Sequence, residues 1–286
     1  MSNTDQMVDE ILKRVLQKAD NLSAATPNQS ESKGAEQIMA NSCSLTEFIG
    51  TAKFGDTIGL VIANVDQQVL DAMKLTKKYR SIGVVGARTG AGPHIMAADE
   101  AVKATNTEIV SIELARDTKG GAGHGSLIVF GGDDVSDVKR AVEVTLKEVE
   151  RTFGDVYANE AGHIELQYTA RASHAINTAF GAPEGKAFGL IVGAPAAIGV
   201  VMADVAVKAA NVDVIGYASP ANGTSFSNEV ILQISGDSGA VRQAVITARE
   251  IGKELLGTLG SEPKNDAPLT FNFDRKGSLT YEIKTF

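Results

Sequence analysis

The sequence repeats one pattern of residues twice. Residues 96–111 read MAADEAVKATNTEIVS, and residues 202–216 read MADVAVKAANVDVIG. Three polar positions recur at a spacing of 105 residues, as Asp99, Lys103 and Asn106 in the first copy and Asp204, Lys208 and Asn211 in the second. A repeated unit of this length has the size of a small domain. The chain is therefore predicted to contain two domains of one fold in tandem, not a short-period solenoid.

Three further pairs of segments support the duplication. They match in the same order and at nearly the same spacing: 58–75 with 164–181, 81–87 with 188–194, and 128–142 with 231–245. Apolar periodicity and turn residues predict the order β-α-β-α-β-β-α in each copy. That order indicates a compact α/β (α+β) layer in which helices pack on one sheet.

The same patterns predict individual elements. We expect strands at 57–65, 81–87, 108–114 and 126–130 in the first copy, and at 163–170, 188–194, 212–217 and 229–234 in the second. Helices are expected to begin after the capping residues Asp66 and either Asp133 or Asp134. Their predicted inward faces are Val69, Leu70 and Met73 in the short helix, and Val138, Val142, Leu146 or Thr145, Val149 and Phe153 in the long one. A further short strand is expected at 279–283.

Composition excludes several classes of protein. The 286 residues carry a net charge of −8, with a sequence pI near 5.1, which argues against a nucleic-acid surface. No apolar run approaches the roughly 18 residues of a membrane span. The single cysteine, Cys43, rules out an intrachain disulfide framework and is typical of a reducing cytoplasm. The sequence thus predicts a soluble, cytoplasmic, acidic protein.

The first 42 residues differ in character from the rest. Residues 1–20 are predicted to form an amphipathic helix with an apolar face made of Val8, Ile11, Leu12, Val15 and Leu16. Residues 21–42 are rich in Ser, Ala, Gln and Glu, which is typical of a flexible linker. Such a helix either packs on its own chain or binds another protein in a groove. An adaptor whose function resides in this helix is one alternative for the whole protein.

Catalytic signatures are absent from the sequence. The four histidines follow no metal-binding spacing, and Cys43 has no evident histidine companion. The sequence therefore predicts no metal, no cofactor and no catalytic residue. The strongest exception is the segment 86–94 (GARTGAGPH), whose glycines, helix start and Arg88 could hold a phosphate group. The other interpretation is a tight turn in which glycines permit close backbone contact, and the counterpart 193–199 lacks the arginine.

Two glycine-rich loops occupy matching places in the repeats. They are residues 116–125 (RDTKGGAGHG) and 219–228 (SPANGTSFSN). Loops of this composition expose backbone and hydroxyl groups that can line a polar passage, although ordinary surface hairpins have the same composition.

The paired D-x-x-x-K-A-x-N and G-D-x-x-x-V-x-x-A-V blocks resemble the bacterial microcompartment shell domain. The strand and helix that precede the first block in each copy resemble its circularly permuted form, and the tandem resembles members that form trimers as pseudohexagonal tiles. The resemblance extends over 43–264 and includes CSLTEFIG, GARTGAGPHIMAADEAVKATNTE, GGAGHGS, FGDVYANEAGHIELQYTARAS, GTSFSNE and GDSGAVRQAV. It implies domains at 43–157 and 158–260, followed by a tail at 261–286.

The resemblance also implies roles for particular residues. Lys103 and Asn106, with Lys208 and Asn211, are expected at the tile edges, where they contact other shell tiles. The alternative is solvated charge on a helix face. The glycine-rich loops are expected to line the central pore or channels, with Lys119, Gly120, Gly121, His124, Ser219, Asn222, Thr224 and Ser225 as polar candidates. Neither loop contains the cysteine that would hold an iron–sulfur cluster.

The implied function is that of a non-enzymatic tile in a microcompartment shell within the cytoplasm. The resemblance indicates the propanediol or glycerol utilisation type, through which small polyols such as 1,2-propanediol or glycerol would pass. It further implies that the N-terminal helix attaches the shell to encapsulated enzymes. The runner-up function is an α/β enzyme or regulator that binds a phosphorylated ligand at Gly86–His94.

Overall fold

The computed structural model describes residues 45–75, 78–115, 125–224 and 226–265, together with the backbone of 271–273 and 279–281. The expected N-terminal helix and linker lie outside the described residues. So do four of the loop candidates for the pore, Lys119, Gly120, Gly121 and His124, and a fifth, Ser225.

The first repeat is a five-stranded antiparallel sheet with two helices on one face and a short helix on the other. Its elements are β1 (Phe48–Ala52), β2 (Thr57–Ile62), α1 (Gln67–Ala72), β3 (Ser81–Ala87), α2 (Ala91–Ala104), β4 (Glu108–Ala115), β5 (Gly125–Gly132) and α3 (Val135–Phe153). The strand order across the sheet is β1-β2-β3-β5-β4.

The second repeat has the same topology. Its elements are β6 (Val156–Asn159), β7 (Gly162–Thr169), α4 (His174–Phe180), β8 (Ala187–Ala194), α5 (Ala196–Ala209), β9 (Asp213–Ala218), β10 (Val230–Gly236) and α6 (Ser238–Gly257). The strand order is β6-β7-β8-β10-β9. Two copies of one fold are therefore confirmed. Each copy also has a first strand that the sequence analysis missed, because β1 and β6 are too short for a clear alternating pattern.

The long helices follow the predicted pattern closely. The Asp134 side chain accepts a hydrogen bond from the Ser136 amide at 2.7 Å, so Asp134 caps α3. The predicted inward residues of α3 are all buried, Thr145 and Leu146 included. In α1, Asp66 is the cap as expected and Leu70 is buried. Val69 was expected to face inward, but it is 46% exposed in the single chain.

The spatial match between the repeats differs by one residue from the sequence alignment in two segments. Asp66 and Ser173 are both N-cap residues of the short helix, although the alignment pairs Asp66 with Ala172. Gly83 and Gly189 both lie beneath a valine of the long helix, although the alignment pairs Gly83 with Leu190. Successive strand residues point to opposite faces, so this slip changes which side chains are equivalent.

One consequence concerns Ile58 on β2. Ile58 pairs with Gly86 of β3, three residues beyond Gly83, and Glu165 pairs with Val192 of β8, three residues beyond Gly189. Ile58 is therefore equivalent to Glu165 and not to the core residue Ile164. Both lie on the sheet face that points away from the long helix.

The two domains share a continuous core. One face of the second sheet packs against its own helices α5 and α6. The opposite face contributes Phe188, Leu190 and Val192 to a cluster that also contains Ile95 and Met96 of α2. The first repeat thus covers the outer face of the second sheet, and this contact forms the junction between the domains.

The end of the second domain is tied to its edge strand. Lys264 and Ala158 exchange two backbone hydrogen bonds, of 3.0 and 2.9 Å. The Asn159 side-chain amide donates to the carbonyls of Leu256 and Ser261. Beyond this point, β11 (Phe271–Phe273) and β12 (Leu279–Tyr281) pair as an antiparallel hairpin, and β12 agrees with the strand expected at 279–283.

Candidate functional site

Helices α2 and α5 hold equivalent positions but are covered very differently. On α2, Ile95 is 0% and Met96 4% exposed, because α4 and the second sheet pack over them. On α5, the equivalent Val200 and Val201 are 50% and 42% exposed. A soluble chain seldom leaves a contiguous apolar helix face open without a partner. The second repeat therefore carries an unpartnered copy of a surface that is buried in the first.

Asp99 lies at the centre of the buried junction. Its side chain is fully buried and accepts the Ser173 backbone N–H at 2.8 Å. Its other oxygen accepts from Lys103 Nζ at 2.5 Å, and the same ammonium group lies 3.1 Å from Thr169 Oγ1. The bonds to Ser173 and Thr169 cross from the first domain to the second, and the Lys103 ammonium compensates the buried charge of Asp99.

Asp204 and Lys208 form the same pair without that cover. Lys208 Nζ lies 2.6 Å from Asp204 Oδ2, and the two side chains are 73% and 56% exposed. The Lys103 side chain, by comparison, is only 29% exposed. Within the described part of one chain, only the first copy of the aspartate–lysine motif contacts the other repeat, and the second copy is exposed. The expected tile-edge role of both lysines remains a prediction, as does that of the exposed Asn106 and Asn211.

Exposed apolar side chains lie on both repeats. On the second repeat they are Val200, Val201, Val207, Val214 and Tyr217, and on the first repeat they include Ile58 and Val69. Val69 is equivalent to Ile176, which is 0% exposed because it packs against α2. The chain thus presents both halves of the internal junction on its outside, one half on each repeat.

The second glycine-rich loop is held by its own backbone. Ser219 and Asn222 exchange hydrogen bonds of 2.7 and 2.9 Å. Thr224 is buried, and its hydroxyl donates to the Ser227 carbonyl at 3.1 Å, so this candidate shapes the loop and does not face solvent. Phe226 is 85% exposed with φ of 68°, a conformation unusual for a bulky residue. The sequence analysis missed Phe226 because a lone aromatic in a polar loop has no pattern.

The Gly86–His94 segment belongs to the interior. His94 is fully buried, with Nδ1 at 2.6 Å from the Gly90 carbonyl and Nε2 at 2.6 Å from Thr57 Oγ1. Burial lowers the pKa of His94 to about 4, so the ring is neutral near pH 7, and its Nδ1–H donates to the Gly90 carbonyl. Gly90 has φ of 84°, and a Cβ there would overlap Phe153. These contacts favour the tight-turn interpretation over a phosphate loop.

Two buried carboxyl groups were not singled out from the sequence. Glu165 is 2% and Glu229 3% exposed. Burial, reinforced by the nearby Glu229 charge, raises the pKa of Glu165 to about 8, and burial raises the pKa of Glu229 to about 7. His163 Nε2 lies 3.8 Å from Glu229 Oε2, and burial lowers the pKa of that ring to about 4. The sequence feature that could have identified Glu165 is its position as a charged residue within a predicted strand.

A groove of about 890 Å³ runs along the mouth of the domain junction. Its walls are residues from both repeats: Glu100, Lys103, Arg151, 168–174, Glu184 and Gly185. His174 and Glu184 face each other at 3.3 Å. The groove contains charges of both signs, so it has no strong preference for an anion or a cation.

Metal and membrane features are absent from the described part of the chain. No group of three or more His, Cys, Asp or Glu residues there could hold a metal ion. None of the helices in those segments is long and apolar enough to cross a bilayer.

Comparison with known proteins identifies the family. The BMC domain model matches residues 81–163 and 187–262, one match in each repeat. Bacterial microcompartment shell protein PduB of Citrobacter freundii is 70% identical over 272 residues, which cover 93% of this chain and 98% of that protein. PduB of Limosilactobacillus reuteri is 56% identical over 231 residues, 81% of this chain and 97% of that protein.

Solved structures agree with this result. The crystal structure of a trimeric bacterial microcompartment shell protein PduB superposes with a TM-score of 0.75 at 57% identity, over 78% of this chain and 99% of that one. EtuB from Clostridium kluyveri gives 0.72 at 55% identity, over 77% and 96% of the two chains. The family model covers more than half of the chain and the similarity extends through both repeats. The chain therefore belongs to the family of bacterial microcompartment shell proteins, with two BMC domains in tandem.

Proposed function

We propose that this protein is a non-enzymatic structural tile in the shell of a microcompartment in the cytoplasm, built from three chains and hence six BMC domains. One observation carries the proposal: the face of α2 is buried by the second repeat, whereas the equivalent face of α5 is open. The open face needs a first repeat from another copy. Contacts of this head-to-tail kind either close into a ring or continue as a filament.

Closure after three chains is supported by the internal junction and by the trimeric relative. Within one chain the second repeat packs against the first. Three chains joined by contacts of the same kind would place six similar domains in a ring. The PduB structure at 57% identity is trimeric. The result is a pseudohexagonal tile whose six domains alternate between the two repeats.

The contacts between chains follow from those within the chain. Val200 and Val201 would pack against Ile58 and Val69 of the neighbouring copy, so that four exposed apolar side chains become buried together. The Asp204 carboxylate would accept the backbone N–H of the neighbouring copy's Asp66, as Asp99 accepts that of Ser173. Lys208 already lies beside Asp204 to balance the charge.

The tile edges are assigned to Lys103 and Lys208, which lie in the last turns of α2 and α5. A lysine stem can pack along a flat edge while its ammonium group reaches carbonyl oxygens of the next tile. Lys208, at 73% side-chain exposure, is available for that role, and Lys103 retains 29%. Asn106 and Asn211 are exposed beside them. The partners are other shell tiles of the same compartment.

We further propose the propanediol-utilisation type of compartment, because the relatives at 56–70% identity are PduB shell proteins. In this proposal, small polyols such as 1,2-propanediol or glycerol pass through channels lined by the two glycine-rich loops. Residues 219–228 carry no charged side chain. Hydroxyl, amide and backbone groups can replace the water around a neutral polyol.

The N-terminal segment is proposed to attach the shell to encapsulated enzymes. An amphipathic helix on a linker of about twenty residues can reach a groove on a partner while the tile stays in the shell. Deletion of residues 1–38 should leave the native mass per tile at three chains and abolish co-purification of the enzymes. Loss of the trimer in the truncated protein would contradict this assignment.

The native mass of the full chain tests the tile itself. Light scattering after size exclusion should give three times the chain mass of 29.9 kDa. A monomer or dimer that persists at high concentration would contradict the proposed tile. The Gly86–His94 loop would then be assayed for nucleotide binding.

A further inference from the structure

The buried carboxyl groups Glu165 and Glu229 lie together on one face of the second sheet. Glu165 pairs with Val192 of the central strand β8. Glu229 precedes Val230, which pairs with Gly193, so Glu229 lies beside Ala194 at the same end of β8. Val192 and Ala194 point to the same face because they are two residues apart. That face is the one packed against the first repeat.

Neither carboxyl group has a lysine or arginine partner among the described residues. Oε1 of each is also buried, without a hydrogen-bond partner in the described segments. The other titratable group here is His163 on β7, which burial keeps neutral. Strand β8 contributes apolar side chains to this face: Phe188, Leu190, Val192 and Ala194. Burial of an uncompensated carboxylate is costly, and two adjacent ones repel each other.

Glu165 contacts the first domain at the first turn of α2. A Cβ built on Gly92 would lie 1.9 Å from Glu165 Oε1 and 2.9 Å from Leu190 Cδ2. Only glycine allows the helix to approach the carboxyl group so closely. His94, in the next position but one, points away into the first domain, where it bonds Gly90 and Thr57. The Glu165 carboxyl group is therefore the polar group that packs against the first turn of α2.

We propose that Glu165 and Glu229 form a proton-dependent latch between the two domains. When at least one of them is protonated, the pair holds the first turn of α2 against the second sheet. When both are ionised, their repulsion and their demand for water loosen this contact while the long helices stay folded. The latch lies within one chain and does not depend on the proposed assembly, because Glu165, Glu229 and Gly92 all belong to that chain. The first repeat has no counterpart of Glu165, since the equivalent residue is the apolar Ile58.

The environment of the pair supports titration in the neutral range. Burial raises the pKa of both carboxyl groups, to about 8 for Glu165 and about 7 for Glu229. The pair therefore changes from mostly protonated to mostly ionised between pH 6 and pH 8.5. A response in this interval would reach the domain junction directly, since the Glu165 carboxyl group lies against Gly92 of α2.

Hydrogen exchange of the full-length protein tests the latch. Protection factors, corrected for intrinsic exchange, are compared at pH 6.0 and pH 8.5 for the amides of 94–97 in α2 and 244–248 in α6. We expect protection in α2 to fall about tenfold or more at pH 8.5 while α6 changes much less. The double variant Glu165→Gln/Glu229→Gln should lose this difference, and the exposed control Glu254→Gln should retain it.

Equal protection in α2 at both pH values, or a response that persists in the double variant, would overturn the proposal. If the double variant does not fold, Glu229→Gln alone is used, for which we expect a smaller response. An independent readout is carboxyl NMR of the wild-type protein labelled at glutamate. Two resonances should titrate above pH 6, and titration of all glutamates below pH 5 would also overturn the latch.

Discussion

The Asp99 carboxylate accepts the backbone N–H of Ser173, at 2.8 Å, across the boundary between the two domains. Ser173 is the N-cap of α4, so Asp99 fixes the start of the helix that covers α2. The equivalent Asp204 has no such donor among the described residues and is exposed. The same motif therefore joins the two domains in the first repeat and is exposed to solvent in the second.

Replacement of Asp99 by alanine should destabilise the chain by about 2–4 kcal/mol. The variant leaves the Ser173 amide without its acceptor and removes the counter-ion of Lys103. Urea unfolding followed by circular dichroism measures the change. The matched control is Glu100→Ala, because Glu100 contacts the same lysine from the exposed side and should cost under about 1 kcal/mol. Equal effects of the two changes would contradict the role given to Asp99.

A charge placed on the open face of α5 should prevent assembly without unfolding the chain. Val201→Glu introduces a carboxylate where the proposed interface buries an apolar side chain, and we expect the trimer to weaken at least tenfold. Native mass and circular dichroism are measured together. Val135→Glu is the control, since Val135 is 38% exposed at the start of α3. A trimer of normal stability in Val201→Glu would exclude this face as the interface.

Stability should be nearly level between pH 4.5 and 6.5 and should fall above pH 6.5. Glu165 and Glu229 have raised pKa values, so their contribution to the free energy of unfolding decreases as pH rises from 4.5, up to about pH 8 for Glu165 and about pH 7 for Glu229. His94 and His163 have pKa values lowered to about 4, so their contribution to the free energy of unfolding increases between pH 4 and 6.5. The two trends cancel where they overlap. Above pH 6.5 only the carboxyl groups act, and the free energy of unfolding should fall by about 3 kcal/mol by pH 8.

Urea unfolding at several pH values measures this profile. Glu165→Gln should flatten the decline above pH 6.5, because glutamine does not ionise. A free energy of unfolding that rises from pH 6.5 to pH 8 would show that the buried pair is ionised at little cost.

Gly92→Ala should destabilise the domain junction by about 1–3 kcal/mol. The added methyl group would meet Glu165 Oε1 at 1.9 Å, so the helix or the carboxyl group must shift. Gly239→Ala is a matched control, because Gly239 is also near the start of a helix and has no atom within 4 Å of a new Cβ. That change should be neutral or stabilise by up to about 1 kcal/mol. Thermal unfolding of the two variants provides the comparison.

Much of the fold was predictable because it depends on local patterns. The duplication, the capping residue Asp134 and the inward face of α3 all follow from spacing along the chain. The sequence predicted less reliably which strand residues face the core, since a one-residue shift in register reverses the two faces. The sequence alignment paired Ile58 with Ile164, whereas the strand registers make it equivalent to Glu165. The alignment favoured the slipped register because it pairs Ile58 with Ile164 and Leu60 with Leu166, two pairs of identical residues.

The site was less predictable than the fold. Residue identities alone gave Lys103 and Lys208 the same role, yet one is held by Asp99 and Thr169 and the other is largely exposed. Val69 looked like a core residue from its spacing and is exposed in the single chain. Both differences arise because the two repeats bury one copy of each equivalent surface against each other and leave the other copy exposed. The sequence of either repeat alone does not contain that information.

The sequence by itself determined that the chain has two domains of one fold, where most helices and strands lie, and to which family the repeats are similar. These properties rest on residue spacing and on local backbone preferences. Only the tertiary structure decided which copy of each equivalent surface is buried, and that Glu165 meets Gly92 at the junction. Burial and the resulting pKa shifts come from contacts between residues far apart in the chain, and no local pattern records those contacts.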